Sequence, residues 1–228
     1  MTFTEPAADD MAALYPFLYS DDEDDLLAVM NQVRESTIAK GAEIIGLRRS
    51  IVACGARSLI DCAQAMAERF AAGGRLFVFG NGGSATDAQQ VATSFVNPAE
   101  GTALPAISLS SDIAAITALS NDIGFEVVFA RQLVALGRRA DMALALSTSG
   151  GSVNLVHALA EAGRIGMLTV GLVGAPGGRL AELGHPRVDH LLLVPSASVH
   201  RVQEAQATIY HILGTLVRSA LSHKEEPM

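Results

Sequence analysis

Two short segments concentrate the side chains and backbone that could hold a charged ligand. The first is Gly80-Asn81-Gly82-Gly83-Ser84, which follows an apolar run and opens a helical pattern (Ala85 to about Val96). Glycines let the backbone come close to a ligand, and a helix N-terminus presents free N–H groups with a partial positive charge. The lysine of a Walker loop is absent and the spacing is not G-x-G-x-x-G, so neither nucleotide motif is met. The second is Ser147-Thr148-Ser149-Gly150-Gly151-Ser152, again between an apolar run and a helical pattern (Val153 to about Arg164). Four hydroxyls and two glycines at a helix start form a neutral cradle for a phosphate dianion. Each segment also has a plainer reading. Strand-to-helix turns are often glycine-rich for steric reasons, and one Ser or Thr at such a place is an N-cap. Capping needs one hydroxyl, and four exceed that need.

These turns require a sheet to position them. Short apolar runs occur at Arg75–Phe79, Pro105–Ser110, Met142–Leu146, Leu168–Val173 and Leu191–Val194, each separated from the next by a segment able to hold a helix. Continuous apolar strands alternating with helices predict a five-stranded parallel sheet covered on both faces, a three-layer, Rossmann-like α/β architecture. Ligands of such sheets bind beyond the carboxyl ends of the strands, where both turns fall. Residues 26–72 are helical in pattern, with Gly41, Gly46 and Gly55 predicting two N-terminal helices broken near 46–50. A last long helix is expected from about Ser198 to Ser222. Its apolar side, with Ile209, Ile212, Leu213, Leu216 and Val217, together with the N-terminal helices, offers more hydrophobic face than one sheet layer covers. That predicts oligomerisation, with packing inside one chain as the alternative.

Charge is unevenly spread. Residues 1–25 carry eight acids and no Lys or Arg, and the rest of the chain is formally neutral within a net charge of −8. A neutral body with an acidic leader is a poor match for nucleic acid, which needs clustered cations. The leader reads as a flexible, solubilising segment or, since Leu14-Tyr15-Pro16-Phe17-Leu18-Tyr19 sits among the acids, as a docking segment for a protein partner. No apolar run is long enough to span a bilayer, and no basic segment precedes an apolar run at the N-terminus. Cys54 and Cys62 form no zinc or disulfide framework. The expected setting is cytoplasmic.

In order and spacing, Gly80–Ser84 followed by Asp87-Ala88-Gln89, then Asn121-Asp122 with Gly124-Phe125, then Ser147–Gly150, then Arg201-Val202-Gln203-Glu204, resemble the sugar isomerase (SIS) domain and, within it, the phosphoheptose isomerases. These act in carbohydrate metabolism, interconverting sedoheptulose 7-phosphate and a heptose 7-phosphate. The resemblance covers residues 26–222, leaving 1–25 as leader and 223–228 as tail. It implies a homotetramer with sites at subunit interfaces, and substrate contacts from Asn81, Gly82, Gly83, Ser84, Asn121, Asp122, Ser147, Thr148, Ser149, Ser152 and Gln203.

The resemblance also marks departures. An aldose–ketose isomerase needs a base beside the carbon acid and an acid or metal at the carbonyl. The family places a zinc-binding His and, four residues on, a Glu that binds zinc and acts as base. The matching residues here are Gln90 and Ser94, which are not competent for either role. The resemblance therefore implies zinc with an incomplete ligand set, and no cofactor is expected. On the last helix Gln203 and His211 match the remaining ligand positions, and Gln206 replaces a further His. His200, Glu204 and His211 fall within roughly 40° of one another around a helix. His211, with Glu204, is the candidate acid–base group, the alternative being a hydrogen-bonded interface histidine and acid. Three readings remain open: a metal-free sugar-phosphate isomerase, a non-catalytic sugar-phosphate sensor or assembly protein on the same scaffold, and a purely structural domain whose loops are vestiges.

Overall fold

The structure, a computed structural model, describes residues 23–182 and 188–225. Residues 1–22 of the acidic leader, with its aromatic cluster, and the last three residues of the tail lie outside the described residues. The chain divides into two compact units, Met1–Gly46 and Leu47–Met228.

In the first unit the described residues are helical and form the start of α1 (Glu23–Ala71). Leu26, Leu27, Met30, Val33, Ile38 and Ile45 are all at least half exposed there. The expected break near 46–50 does not occur, because α1 is one helix. A lone glycine lowers helix stability by only about 1 kcal/mol, and a side chain at Gly41 or Gly46 would meet nothing within 4 Å. With no proline in the segment, nothing obliges the helix to end.

The second unit holds the sheet. Its strands are β1 (Leu76–Gly80), β2 (Ala106–Ser108), β3 (Met142–Ser147), β4 (Leu168–Gly174) and β5 (His190–Val194). Between them lie α2 (Gly83–Val96), α3 (Ile113–Asp122), a 3₁₀ turn (Phe125–Val127), α4 (Val128–Leu136), α5 (Val153–Ile165) and α6 (Gly178–Glu182), and α7 (Val199–Glu225) ends the described chain. All pairings are parallel, in the order β2-β1-β3-β4-β5. This is the three-layer α/β fold expected. β2 keeps only three of its six anticipated residues, since it is an edge strand paired on one side.

Strand alternation sends successive residues to opposite faces. Phe77, Phe79, Ala143 and Ala145 pack with Val128, Phe129 and Leu133 of α4 and Leu155, Ala158 and Leu159 of α5. Leu76, Val78, Leu144 and Leu146 are equally buried on the other side, where α2 and α7 contact the strands and each other. Ile209, Leu213 and Val217 of α7 are buried within this unit, leaving Ile212 the more exposed. The apolar side of α7 is thus consumed mainly inside the chain, and α1 carries several of the exposed hydrophobic residues.

Candidate functional site

Strand order decides where the site falls. β1 lies between β2 and β3, so the chain runs outward from the centre to one side and then to the other. Such a switch point opens a crevice at the carboxyl ends of the two central strands. Gly80 of β1 and Leu146 of β3 are register partners. The glycine-rich and serine-rich turns, which begin at Gly80 and Ser147, therefore leave the sheet side by side.

Hydrogen bonds tie the two turns together. Asn81 Nδ2 donates to Asn154 Oδ1 and Asn154 Nδ2 donates to Asn81 Oδ1, both at 2.9 Å. Asn154 is buried in the first turn of α5. It went unnoticed in the sequence, although it shares the stripe of Leu155, Ala158 and Ala162. Gly82 caps α2 with φ 56°, and Ser84 is buried. A side-chain carbon at Gly83 would lie 2.2 Å from Gln203 Nε2, so Gln203 of α7 rests on the start of α2.

In the serine turn, the Gly150 N–H donates to Ser147 Oγ (2.9 Å) and the Gly151 N–H donates to Ser149 Oγ (3.2 Å). Two of the backbone donors expected for a phosphate are thus engaged, but each serine keeps its own O–H to donate. Ser152 occupies the N-cap position of α5 without making a side-chain cap bond. Its hydroxyl is not consumed by capping, and the first N–H groups of α5 have no intrahelical acceptor. Thr148 is half-buried in the same turn.

The turn is braced from behind. Gln206, fully buried, donates from Nε2 to Ser147 O (3.0 Å) and Leu172 O (2.8 Å), joining the ends of β3 and β4 to α7. A carboxamide supplies both hydrogens at once. Side-chain carbons at Gly150, Gly174 and Gly178 would sit 2.0–2.4 Å from backbone oxygens, which leaves the 147–151 and 174–178 turns in direct contact.

Asn121 and Asp122 end α3, exposed, with Asn121 Nδ2 donating to Asp122 Oδ1 (3.0 Å). On α7, His200, Glu204 and His211 are exposed as the helical angles predict, but they do not act as one group. Glu204 is paired with Arg201 (Arg201 Nη1 to Glu204 Oε2, 2.5 Å). His211 lines a cavity of about 630 Å³ with Gln90 and Ser94, and neither His200 nor Glu204 borders it. The Ser94 hydroxyl donates to Val91 O (2.8 Å). Asp87, one turn before Gln90, has a buried Oδ2 with no hydrogen-bond partner among the described residues. Burial raises its pKa above the usual carboxylate range. Burial, and then the charge of Asp87, push Tyr210 up as well.

The implied zinc does not fit the residues present. Its four positions offer two carboxamides, a hydroxyl that donates to a backbone carbonyl, and one imidazole. Among the described residues no three His, Cys, Asp or Glu side chains are grouped to hold a metal. Carboxamides and hydroxyls are weak substitutes for thiolate, imidazole or carboxylate.

A switch-point crevice walled by a glycine-rich and a serine-rich helix start defines a class of ligand-binding α/β domain. The SIS domain model matches residues 41–174, and the chain belongs to that family. It is 42% identical over 179 residues to the phosphoheptose isomerase of Roseiflexus sp., covering 78% of this chain and 89% of that protein. It is 46% identical over 165 residues to that of Pelobacter propionicus, covering 72% and 85%. The phosphoheptose isomerase structure from Neisseria gonorrhoeae superposes with a TM-score of 0.76 at 32% identity, over 82% of this chain and 99% of that one.

Proposed function

We propose that this protein binds a phosphorylated sugar of the phosphoheptose class, with the phosphate at the 147–152 turn, and interconverts its aldose and ketose forms using His211 for proton transfer. The observation that carries the reading is the pairing of β1 with β3, which brings the glycine-rich turn after β1 and the serine-rich turn after β3 side by side. Similarity to phosphoheptose isomerases over most of their length supports the same ligand class.

The sugar chain then runs from the serine turn toward α2 and α7. Asn81, Gly82, Gly83, Ser84, Asn121, Asp122 and Gln203 are its proposed contacts. Imidazole titrates near neutral pH and can take a proton from one carbon and return it to the next. Glu204, held by Arg201, is left as a positioning residue. Assay of sedoheptulose 7-phosphate turnover, with and without added zinc, tests the proposal. Wild type should convert it without metal, and His211→Ala should lose at least about a hundredfold in rate, the usual scale of acid–base catalysis. Unchanged turnover in His211→Ala would remove the mechanism.

One set of observations favours a second reading. Gln90 and Ser94 supply no base and Glu204 is engaged in an ion pair, as suits a sensor that binds the sugar phosphate without converting it. Calorimetric titration showing saturable binding, with no product in the cell, would select the sensor.

A homotetramer is part of the proposal, supported by the exposed apolar residues of α1 in the first unit. A cytoplasmic setting also follows, because a dianionic ligand does not cross an apolar bilayer unaided. No helix among the described residues is long and apolar enough to cross a membrane.

A further inference from the structure

The cavity that His211 lines extends past the catalytic positions to Arg218, one of whose guanidinium nitrogens, Nη1, is buried with no hydrogen-bond partner among the described residues. A guanidinium is always charged and has only donors, so it cannot relieve its burial by losing a proton. An unmatched buried donor of this kind is costly. Its stem is held in place: the guanidinium carbon lies 5.9 Å from the Phe95 ring centroid, and a side-chain carbon at Gly101 would meet Arg218 Cδ at 3.1 Å. The stem is thus packed between Phe95 and the Gly101 turn before any ligand arrives, which lowers the ordering cost of binding.

The rest of the wall suits a small polar molecule. Gln90, Asn97 and Ser219 add amide and hydroxyl donors, and the volume of about 630 Å³ falls in the range of small-molecule sites. The titratable groups lining it are Arg218, which is always charged, His211 and the acid Glu100. None of the serine-turn residues lines it. Arg218 lies fifteen residues beyond Gln203 on α7, about 22 Å along the helix axis. A phosphate seated at the serine turn is therefore not the anion that Arg218 would meet.

We propose that this cavity is a second, anion-binding site, anchored by Arg218, for the carboxylate or phosphoryl group of a small metabolite. It stands whether or not the serine turn holds a sugar phosphate. Because Gln90, Ser94 and His211 form its other wall, an occupant there would also alter access to the proposed proton-transfer residue.

The test is thermal melting of the full chain against inorganic phosphate at constant ionic strength. Ser149→Ala/Ser152→Ala removes the first cradle, and phosphate should still raise its melting temperature. Adding Arg218→Met, which keeps the packed stem, should raise the half-saturating phosphate concentration at least about tenfold, the scale of a charged hydrogen bond. Glu100→Gln should lower it several-fold, and this gain remains readable if the Arg218 variant fails to fold. Malonate matching phosphate would extend the site to carboxylates, and phosphate acting alone would restrict it to phosphoryl groups; both support the site. Equal response in the presence and absence of Arg218, no change in Glu100→Gln, or an equal effect of the neutral polyol sorbitol would overturn it.

Discussion

Gly150 offers the sharpest test of how the serine turn is built. Its φ is +64°, and a side-chain carbon there would lie 2.0 Å from Gly177 O, 2.5 Å from the carbon of that carbonyl and 3.2 Å from Gly178 N. All three are backbone atoms and cannot swing aside. The left-handed conformation costs an L-residue about 1–2 kcal/mol, and overpacking typically adds about 1–3 kcal/mol. Gly150→Ala should therefore destabilise the protein by about 2–5 kcal/mol. At about 2–4 °C per kcal/mol for a chain of this size, the expected fall is roughly 4–20 °C, read by circular dichroism melting. Gly83→Ala is the control. Its new carbon would meet Gln203 Nε2 at 2.2 Å, the end of a flexible side chain, so melting should fall by no more than a few degrees while sugar-phosphate binding weakens. A Gly150→Ala protein that melts with the wild type would show that the two turns do not press on one another, and the rigid cradle would have to be abandoned.

Three further outcomes follow from single groups. Burial holds the Asp87 proton on to higher pH in the folded state than in the unfolded one, so stability on this account rises as pH falls through that interval and is lost toward neutral pH. Asp87→Asn should thus melt higher than wild type at pH 7, with the difference vanishing in acid where the carboxyl is protonated in both states; a lower melting point at pH 7 would refute it. The Cys62 thiol is pushed up to about 12 by burial, whereas Cys54 is exposed. A thiol reagent at pH 8 should therefore modify one cysteine rapidly and the second only on unfolding. Asn154→Ala leaves the Asn81 amide without its reciprocal partner and should cost about 1–3 kcal/mol in denaturant unfolding, with weaker sugar-phosphate binding by calorimetry.

Much of the architecture was legible in the chain because buried parallel strands must be continuous apolar runs, and the turns that end them must carry glycine or hydroxyls. β1, β3, β4 and β5 fall within a residue or two of the runs that announce them. The same local logic failed at 46–50, where glycine marked a break that the helix did not take. It also failed for the polar face of α7. Angles around a helix group His200, Glu204 and His211, but they say nothing of Arg201, which takes Glu204, or of α2, which brings Gln90 and Ser94 to His211. Asn154 and Gln206 carried a signal in being polar on apolar stripes, yet their partners lie 73 and up to 59 residues away.

The amino-acid order by itself determined the strands, the two helix-opening turns and the non-titratable side chains at positions 90 and 94, since each is a property of a few adjacent side chains. Only the tertiary structure decided that β1 pairs with β3 rather than standing apart from it, and that Arg218 ends with an unmatched donor in the cavity of His211. Strand order and helix packing are settled by which distant apolar faces bury one another, and no window of sequence contains both partners.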